Sequence, residues 1–205
     1  LMLKDIIKFI LKNSIIFAIV SLVFSMIGAF FPESEFTVVI GNPLVVSSVT
    51  YEHVLGHIFW GAVIGLGTLS IRYIILGGSF AIFLDSDHLL QFLDIELVSR
   101  MSHSIPFAVI VSIVFFVILR GKDIRICAVA FGAVLSHIAF DVFLADVLLN
   151  SATKFPLFSP FTFETVSLQG LDWLGIQIIG VSIVAITSYF FKRKEINVKN
   201  SLTKT

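Results

Sequence analysis

The sequence predicts an all-α fold, a polytopic membrane helix bundle of about six transmembrane helices, from three observations. First, 57% of the 205 residues are hydrophobic and 14% are charged, whereas a soluble domain is about 45–50% apolar and about 25% charged. Second, the mean hydropathy is +1.02, and the apolar runs are long enough to cross the roughly 30 Å hydrocarbon core of a bilayer. Third, basic residues gather at one end of these runs.

Six apolar segments predict one transmembrane domain over residues 1–192 and a basic cytoplasmic tail over residues 193–205. The first run exceeds a signal-peptide core of about 7–15 residues, so we expect an uncleaved anchor. Only Arg72 separates the second and third runs, so their turn is expected there or at Gly65–Thr68, and one long bent helix is the alternative. The predicted spans are Asn13–Phe31, Val54–Ile71, Tyr73–Leu90, His103–Leu119, Ile124–Leu149 and Leu171–Phe191.

The basic residues also predict the orientation of the spans. With the amino terminus inside, all of the 14 Lys and Arg residues except Arg100 and Lys154 fall in cytoplasmic segments, as the positive-inside rule requires. We therefore expect a multi-pass protein of the cell membrane with both termini in the cytoplasm. Two β-branched runs flank Gly41–Pro43 and predict a small extracytoplasmic β-hairpin.

All five histidines lie near one end of the apolar segments, beside acidic or hydroxyl residues. Counting about 1.5 Å per helical residue from the basic anchors places the polar groups of four segments in one layer, in the outer half of the membrane. Ionisable groups inside membrane spans are costly and mark a functional site by default. Imidazole and carboxylate together are typical donors for a borderline-soft divalent metal.

The candidate metal ligands lie within a predicted metal-site core at about residues 53–161. His53 shares a helix face with one of them and is expected at the rim of the site. The ligand candidates are His57, Asp85, Asp87, His88, His103, His137 and Asp141.

Each motif has a structural alternative when it is taken alone. His137 and Asp141 are four residues apart on one helix face, so they either bind a metal or satisfy each other between helices. The DSDH segment at residues 85–88 either supplies ligands or forms a polar helix end. His103 precedes a predicted helix start, where it binds a metal, contacts an oxyanion or lies at the membrane interface.

Seven ligands exceed the three or four protein ligands of a single zinc site. Either some of them orient the others, or two ions about 3.5–4 Å apart share carboxylates. We therefore expect one or two divalent metal ions, with Zn²⁺ or Mn²⁺ favoured. A spare carboxylate, Asp87 or Asp141, is the predicted general base.

The order of these motifs resembles the LexA-regulated, membrane-bound metal-dependent hydrolases, a family of predicted inner-membrane hydrolases. Its members carry a GH pair, then PDxDH, HRGxTHS, SHxxxD and a hydrophobic loop with proline. The resemblance covers about half of the chain and implies a metal-dependent membrane hydrolase. The corresponding segments here are Gly56–His57, Leu84–His88, Ser102–Ser104, Ser136–Asp141 and Phe155–Pro160.

The chain departs from the family pattern at three places. Leu84 replaces the proline of the second motif, and Ser102 replaces the threonine of the third. The first histidine of the third motif has no counterpart in the region of Arg100. If that histidine is a ligand in relatives, either His53 substitutes for it or the activity is altered or lost.

The resulting hypothesis is a membrane-embedded metal-dependent hydrolase whose His/Asp site opens to the extracytoplasmic side. A shallow site in the membrane suits an amphiphilic substrate, with a lipid-linked phosphoester expected before an amide or an ester. The alternatives are a divalent cation or proton transporter, and a non-catalytic membrane protein with a structural metal site. The expected partners are the lipid bilayer and this substrate; beyond the short basic tail nothing points to nucleic acid.

Overall fold

The computed structural model describes residues 3–31, 41–42, 50–92 and 100–202. These ranges contain six α-helices, which confirms the prediction of an all-α bundle. The six helices follow the order of the six predicted spans. The helices are α1 (Leu3–Met26), α2 (Tyr51–Leu66), α3 (Ile71–Phe83), α4 (Ile105–Ile118), α5 (Ile124–Leu149) and α6 (Asp172–Leu202).

Two 3₁₀ segments and one small sheet complete the described part of the chain. The 3₁₀ segments are Ile27–Phe30, after α1, and Leu84–Phe92, after α3. The sheet is an antiparallel pair of β1 (Thr153–Phe155) and β2 (Val166–Leu168) in the loop between α5 and α6. The β-hairpin predicted around Gly41 lies outside the described residues apart from positions 41 and 42.

Within the described residues, four helical stretches are long and apolar enough to cross a membrane by length and composition. The other two predicted spans are helical but shorter, because α2 has 16 residues and α4 has 14. At about 1.5 Å per residue they are about 24 Å and 21 Å long, less than the hydrocarbon core of about 30 Å. The four long stretches are Leu3–Phe30, Ile71–Phe92, Ile124–Val147 and Asp172–Asn197.

Helices α2 and α3 form an antiparallel pair whose turn lies close to the predicted Gly65–Thr68. Helix α2 ends at Leu66 and α3 begins at Ile71, so the alternative of one long bent helix is wrong. Close contact requires glycine at position 61, because a Cβ there would lie 2.4 Å from the carbonyl oxygen of Gly77. Small residues at such contacts let helix backbones approach closely in membrane proteins.

Helix α5 is the central helix of the bundle. In the apolar part of α5 78% of the residues are buried, against 22% in the apolar part of α6. Helix α5 contacts α2, α3, α4 and α6. The core around it is largely aliphatic and aromatic. Its fully buried side chains include Ile64, Leu76, Phe80, Phe107, Val129 and Val134.

The carboxyl-terminal helix is longer than the sequence predicts. Helix α6 continues through the predicted end of its span at Phe191 and ends at Leu202. The first residues of the predicted tail, 193–197, are therefore exposed and helical. At this end of the bundle, Lys192 donates a hydrogen bond from Nζ to the carbonyl oxygen of Thr68, in the turn after α2, at 3.1 Å.

Candidate metal centre

The start of α2 places two histidines on one face. Thr50 caps the helix by accepting a hydrogen bond from the backbone N–H of His53 at 3.3 Å. His53 and His57 are one turn apart, and their Nε2 atoms lie 3.0 Å from each other. Gly56 brings this turn against α5, because a Cβ there would lie 1.9 Å from the ring of Phe140.

The DSDH segment lies on the 3₁₀ segment Leu84–Phe92, where the sequence predicts the end of an α-helical span. In a 3₁₀ helix residues i and i+3 lie on the same side. Asp85 and His88 have this spacing, and Oδ1 of Asp85 lies 3.5 Å from Nε2 of His88. Asp87 faces Ser102, whose hydroxyl donates to its Oδ2 at 3.2 Å.

Helix α1 holds the 3₁₀ segment in place through two hydroxyl groups. Ser21 donates a hydrogen bond to the carbonyl oxygen of Leu84 at 3.0 Å. In the opposite direction, Ser86 donates to the carbonyl oxygen of Ala18 at 3.2 Å. Both bonds connect elements more than 60 residues apart, so α1 fixes the position of Asp85.

His103 lies in the turn before α4, beneath the loop that joins α5 to α6. Ser104 caps α4 by accepting from the backbone N–H of Phe107 at 3.3 Å, as the Ser–Pro pattern predicts. The ring of Phe155 covers His103 at a centroid distance of 6.3 Å. The backbone N–H of Ile105 also donates to the carbonyl oxygen of Leu157 at 2.9 Å, so this loop lies against the turn that carries His103.

His137 and Asp141 project from the buried face of α5. Nδ1 of His137 lies 2.7 Å from the carbonyl oxygen of Ala81. A carbonyl oxygen only accepts hydrogen bonds, so Nδ1 carries the proton and Nε2 of the neutral ring presents a lone pair. Metal-binding histidines commonly donate their second N–H in this way, which fixes the tautomer and the ring orientation.

Asp85 is the centre of the cluster because its two oxygens face different histidines. Oδ1 lies 3.2 Å from Nε2 of His137 and 3.6 Å from Nε2 of His103. Oδ2 lies 3.5 Å from Nε2 of His53 and 3.8 Å from Nε2 of His57. Residues from three separate stretches, α2, the turn before α4 and α5, therefore surround one carboxylate of the 3₁₀ segment.

Asp141 is placed in a similar way between two of the same rings. Its Oδ1 lies 3.3 Å from Nε2 of His57, and its Oδ2 lies 3.8 Å from Nε2 of His137. These two imidazole rings are stacked, with centroids 3.6 Å apart and planes inclined by 9°. Two carboxylates therefore flank a parallel pair of imidazoles.

The donor spacing fits a bound metal ion. Donors around a tetrahedral ion with bonds of about 2.0–2.1 Å lie about 3.3 Å from one another, and the spacings around Asp85 are 3.2–3.8 Å. The described residues form four groups that could hold a metal ion, each with donors within 4.8 Å of one another. The groups are His53–His57–Asp85, His57–His137–Asp141, Asp85–His103–His137 and Asp85–Asp87–His88.

Several donor atoms need a partner that the described residues do not supply. Oδ2 of Asp85 and Oδ1 of Asp87 are buried and accept no hydrogen bond among the described residues. Nε2 of His103 lies 2.9 Å from Nε2 of His137, which presents a lone pair. A shared proton or a cation is required to hold two nitrogens at this distance. Buried polar groups without partners are costly, so the residues fit a cation.

The charge balance of the cluster also favours a cation. Within the described ranges, the ion-pair contacts of Asp85, Asp87 and Asp141 are all to imidazoles. If the imidazoles are neutral, no contacting Lys or Arg within the described ranges compensates the three carboxylates. Buried charges are paired or coordinate metals, and a divalent ion could supply the missing positive charge.

The structure brings all seven sequence-predicted ligand candidates into one cluster. It adds His53, which is 18% exposed and whose Nε2 also reaches Asp85. The spacing of four residues between His53 and His57 was the sequence signal for this position. The hydrogen bond between His137 and the carbonyl oxygen of Ala81 could not be predicted in this way, because every residue type has a backbone carbonyl oxygen.

No family model, curated protein or solved structure matches this chain. The resemblance to the LexA-regulated metal-dependent hydrolases therefore stays a prediction from motif order. The region of the missing family histidine lies largely outside the described residues. Arg100, at its end, packs its guanidinium over the ring of Phe155 at 5.1 Å.

Proposed function

We propose that the protein is a membrane-embedded, metal-dependent hydrolase. The observation that carries this proposal is the convergence of five imidazoles and three carboxylates from four separate segments. Two of the buried carboxylate oxygens have no hydrogen-bond partner among the described residues. The bundle that carries these side chains contains apolar helices long enough to cross a membrane. The motif order of the predicted hydrolase family supports the same function.

One or two divalent ions, Zn²⁺ or Mn²⁺ in our proposal, would generate a nucleophilic water and polarise the scissile group. Asp85 and the histidines on α2, α5 and the turn before α4 would hold them. The hydrogen bond from Nδ1 of His137 to Ala81 orients one ligand. The two hydrogen bonds between α1 and the 3₁₀ segment fix the carboxylate that the histidines share.

Of the two predicted bases, Asp87 has the better position. Its Oδ2 is held by the hydroxyl of Ser102, while its Oδ1 has no hydrogen-bond partner among the described residues. A general base needs one free oxygen within reach of a water. Both oxygens of Asp141 face imidazoles, so we assign Asp141 to metal binding and Asp87 to proton transfer.

The surroundings of the cluster support an amphiphilic substrate. His53 and His88 are 18% and 28% exposed, whereas the other ligand candidates are more deeply buried, so the substrate would enter on this side. Exposed apolar side chains lie nearby on the same elements, among them Tyr51, Leu55 and Leu89. An apolar tail would pack against such side chains while an anionic head faces the cations, which favours a lipid-linked phosphoester over an amide or an ester.

The test is hydrolysis by the detergent-purified protein. We would offer lipid-linked phosphoesters, carboxylic esters and peptides, and we expect one class to be cleaved only when Zn²⁺ or Mn²⁺ is present. His137→Ala should abolish the metal-dependent cleavage, because it removes a ligand of the ion that activates the water. Asp146→Asn is the matched control. Asp146 lies on the same helix as His137, but its carboxylate accepts a hydrogen bond from the backbone N–H of Gly170. A protein without bound metal that cleaves none of these classes would refute the proposal.

Transport of a divalent cation or proton is less well supported. A pathway needs polar groups along the length of the bundle, but the side chains between the cluster and the turn after α2 include the buried Ile64, Leu76 and Phe80. Within the described residues, the candidate metal groups all lie at one end. Metal flux into proteoliposomes that His137→Ala abolishes would favour transport instead.

We also propose that this end faces outward across the cell membrane, with both termini cytoplasmic. Arg72, Arg125 and Lys192 lie at the opposite end, as the positive-inside rule predicts. Single cysteines at the exposed positions Glu164 and Lys122, in a Cys127→Ala background, test this. An impermeant maleimide should label Glu164→Cys in intact cells and Lys122→Cys only after permeabilisation, and the reverse pattern would refute the orientation.

A further inference from the structure

We infer that the cluster is a dinuclear centre in which Asp85 and Asp141 each bridge two divalent cations. This inference rests on the proposed function for the nature of the site as a metal centre. It divides four of the five histidines into two sets that share only these two carboxylates. The first set is His53 and His57, and the second is His103 and His137.

The first step is the division of Asp85. Its Oδ2 faces His53 and His57, at 3.5 and 3.8 Å, and its Oδ1 faces the other set. The side chain is only 10% exposed, and Oδ2 has no hydrogen-bond partner among the described residues. A cation between this buried oxygen and the two imidazole nitrogens would satisfy all three atoms.

Asp141 repeats this division from the opposite side of the cluster. Its Oδ1 is directed at His57 and its Oδ2 at His137, at 3.3 and 3.8 Å. A single ion would bind either one oxygen from each carboxylate or both oxygens of one carboxylate. Two carboxylates that each separate their oxygens between the same two histidine sets indicate two ions.

The stacked imidazoles set the expected distance between the two ions. The rings of His57 and His137 are parallel and 3.6 Å apart, and each belongs to a different set. Metal pairs in hydrolytic sites are about 3.5–4 Å apart. Two parallel rings that each bind one ion through Nε2 hold those ions at about the distance between the rings.

A single ion does not account for all the donors. Two donors on opposite sides of an ion with bonds of about 2.1 Å are at most about 4.2 Å apart. Among the described residues, no group of donors within 4.8 Å of one another contains both His53 and His103. These two histidines therefore require separate ions if both bind metal.

Metal counting combined with electron paramagnetic resonance tests the inference. The full chain would be purified in detergent, stripped with a chelator, loaded with Mn²⁺ and freed of excess ion. We expect two Mn²⁺ per chain and the spectrum of an exchange-coupled pair. His53→Ala and His103→Ala should each reduce the content to one Mn²⁺ and give an uncoupled spectrum, whereas Asp85→Ala should reduce it below one.

Folding is controlled within the same design. His53 is partly exposed, so His53→Ala should retain the elution volume of the wild type in size-exclusion chromatography even if the buried variants do not. Asp146→Asn should retain both ions. One Mn²⁺ in the wild type, or a His53→Ala variant that keeps two coupled ions, would overturn the inference.

The outcomes separate this inference from the proposed function. Two coupled ions without cleavage of any substrate class support the dinuclear centre and overturn the hydrolase. One ion with chelator-sensitive cleavage supports the hydrolase and overturns the dinuclear centre. A wild-type protein that binds no Mn²⁺ and no Zn²⁺ overturns both.

Discussion

The tautomer of His137 determines how the cluster presents its lone pairs. The carbonyl oxygen of Ala81 accepts from Nδ1, so Nε2 faces the nitrogen of His103 and the oxygen of Asp85. A proton or a cation between these atoms is needed to hold them at about 3 Å. At the scale of single residues, backbone hydrogen bonds and shared carboxylate oxygens therefore decide which atoms are available for a metal.

Much of this residue-scale detail could not be predicted from the sequence. The residue types and their common depth indicated which side chains would meet. The sequence contains no signal that Asp85 has histidines on both of its oxygens, because that depends on where α2 and α5 pass the 3₁₀ segment. His53 had the correct spacing, but its reach to Asp85 depends on side-chain geometry.

The roles of Asp87 and Asp141 are separable by a matched pair of substitutions. Asp87→Asn should keep the metal content of the wild type and reduce kcat by about 10²–10⁴, the contribution typical of a general base. Asp141→Asn should reduce the metal content itself, because both oxygens of Asp141 face imidazoles. Metal analysis and turnover of the cleaved substrate class measure the two effects.

Each outcome of this pair has a defined meaning. Loss of metal in Asp87→Asn would identify Asp87 as a ligand. If Asp141→Asn keeps its full metal content and turns over more slowly, Asp141 acts as the general base instead of Asp87. Asp146→Asn, which also removes a carboxylate from α5, should change neither quantity.

At the scale of elements, helix contact positions the ligands. Helix α2 carries two histidines, and α3 leads into the segment with Asp85, so the α2–α3 contact sets the distance between them. The sequence predicted both helices and, within a few residues, their turn. It did not predict the 3₁₀ segment at 84–92, because apolar periodicity does not distinguish the last turns of an α-helix from a tighter helix.

Gly61→Ala should destabilise the protein and weaken the metal site together. The new methyl group would lie 2.4 Å from the carbonyl oxygen of Gly77 and 2.5 Å from the Cβ of Ala81. Overpacking of this kind costs about 1–3 kcal/mol, and displacement of Ala81 also disturbs the hydrogen bond to His137. We expect a lower Tm in detergent and a higher Kd for Zn²⁺, measured by thermal unfolding and competition with a chelator.

A second glycine on an apolar helix is the control for this experiment. Gly175 on α6 has no atom within 4 Å of an added Cβ. Gly175→Ala should leave the Kd for Zn²⁺ unchanged and alter the free energy of unfolding by no more than about 1 kcal/mol, the helix-propensity difference. Equal losses of stability in both variants would show that the α2–α3 contact is not special.

At the scale of the whole molecule, polar groups concentrate at two opposite ends of an apolar bundle. One end holds the candidate metal centre. At the other end Tyr73 donates a hydrogen bond to the carboxylate of Asp123 and accepts one from Arg72 at 2.9 Å. Asp123 also caps α5 by accepting from the backbone N–H of Arg125 at 3.2 Å. The overall class and helix order followed from composition and run length, whereas this hydrogen-bond network depends on the tertiary approach of α3 to α5.

The two ends should contribute independently to stability. Tyr73 and Asp85 are 12 residues apart, about 18 Å along the helical path, and share no contact. Tyr73→Phe removes a buried hydrogen bond and should reduce the free energy of unfolding by about 1–3 kcal/mol without changing the metal content.

Removal of metal by a chelator should reduce the stability of the wild type by about 2.7 kcal/mol if the free metal is at 100 times its Kd. Sites this far apart are usually additive to within about 0.3–0.5 kcal/mol, so denaturant unfolding of Tyr73→Phe with and without metal should show the same metal effect as the wild type. A metal effect that shrinks in Tyr73→Phe would mean that the two ends are coupled through α3 and α5, and that the metal acts on the packing of the whole bundle.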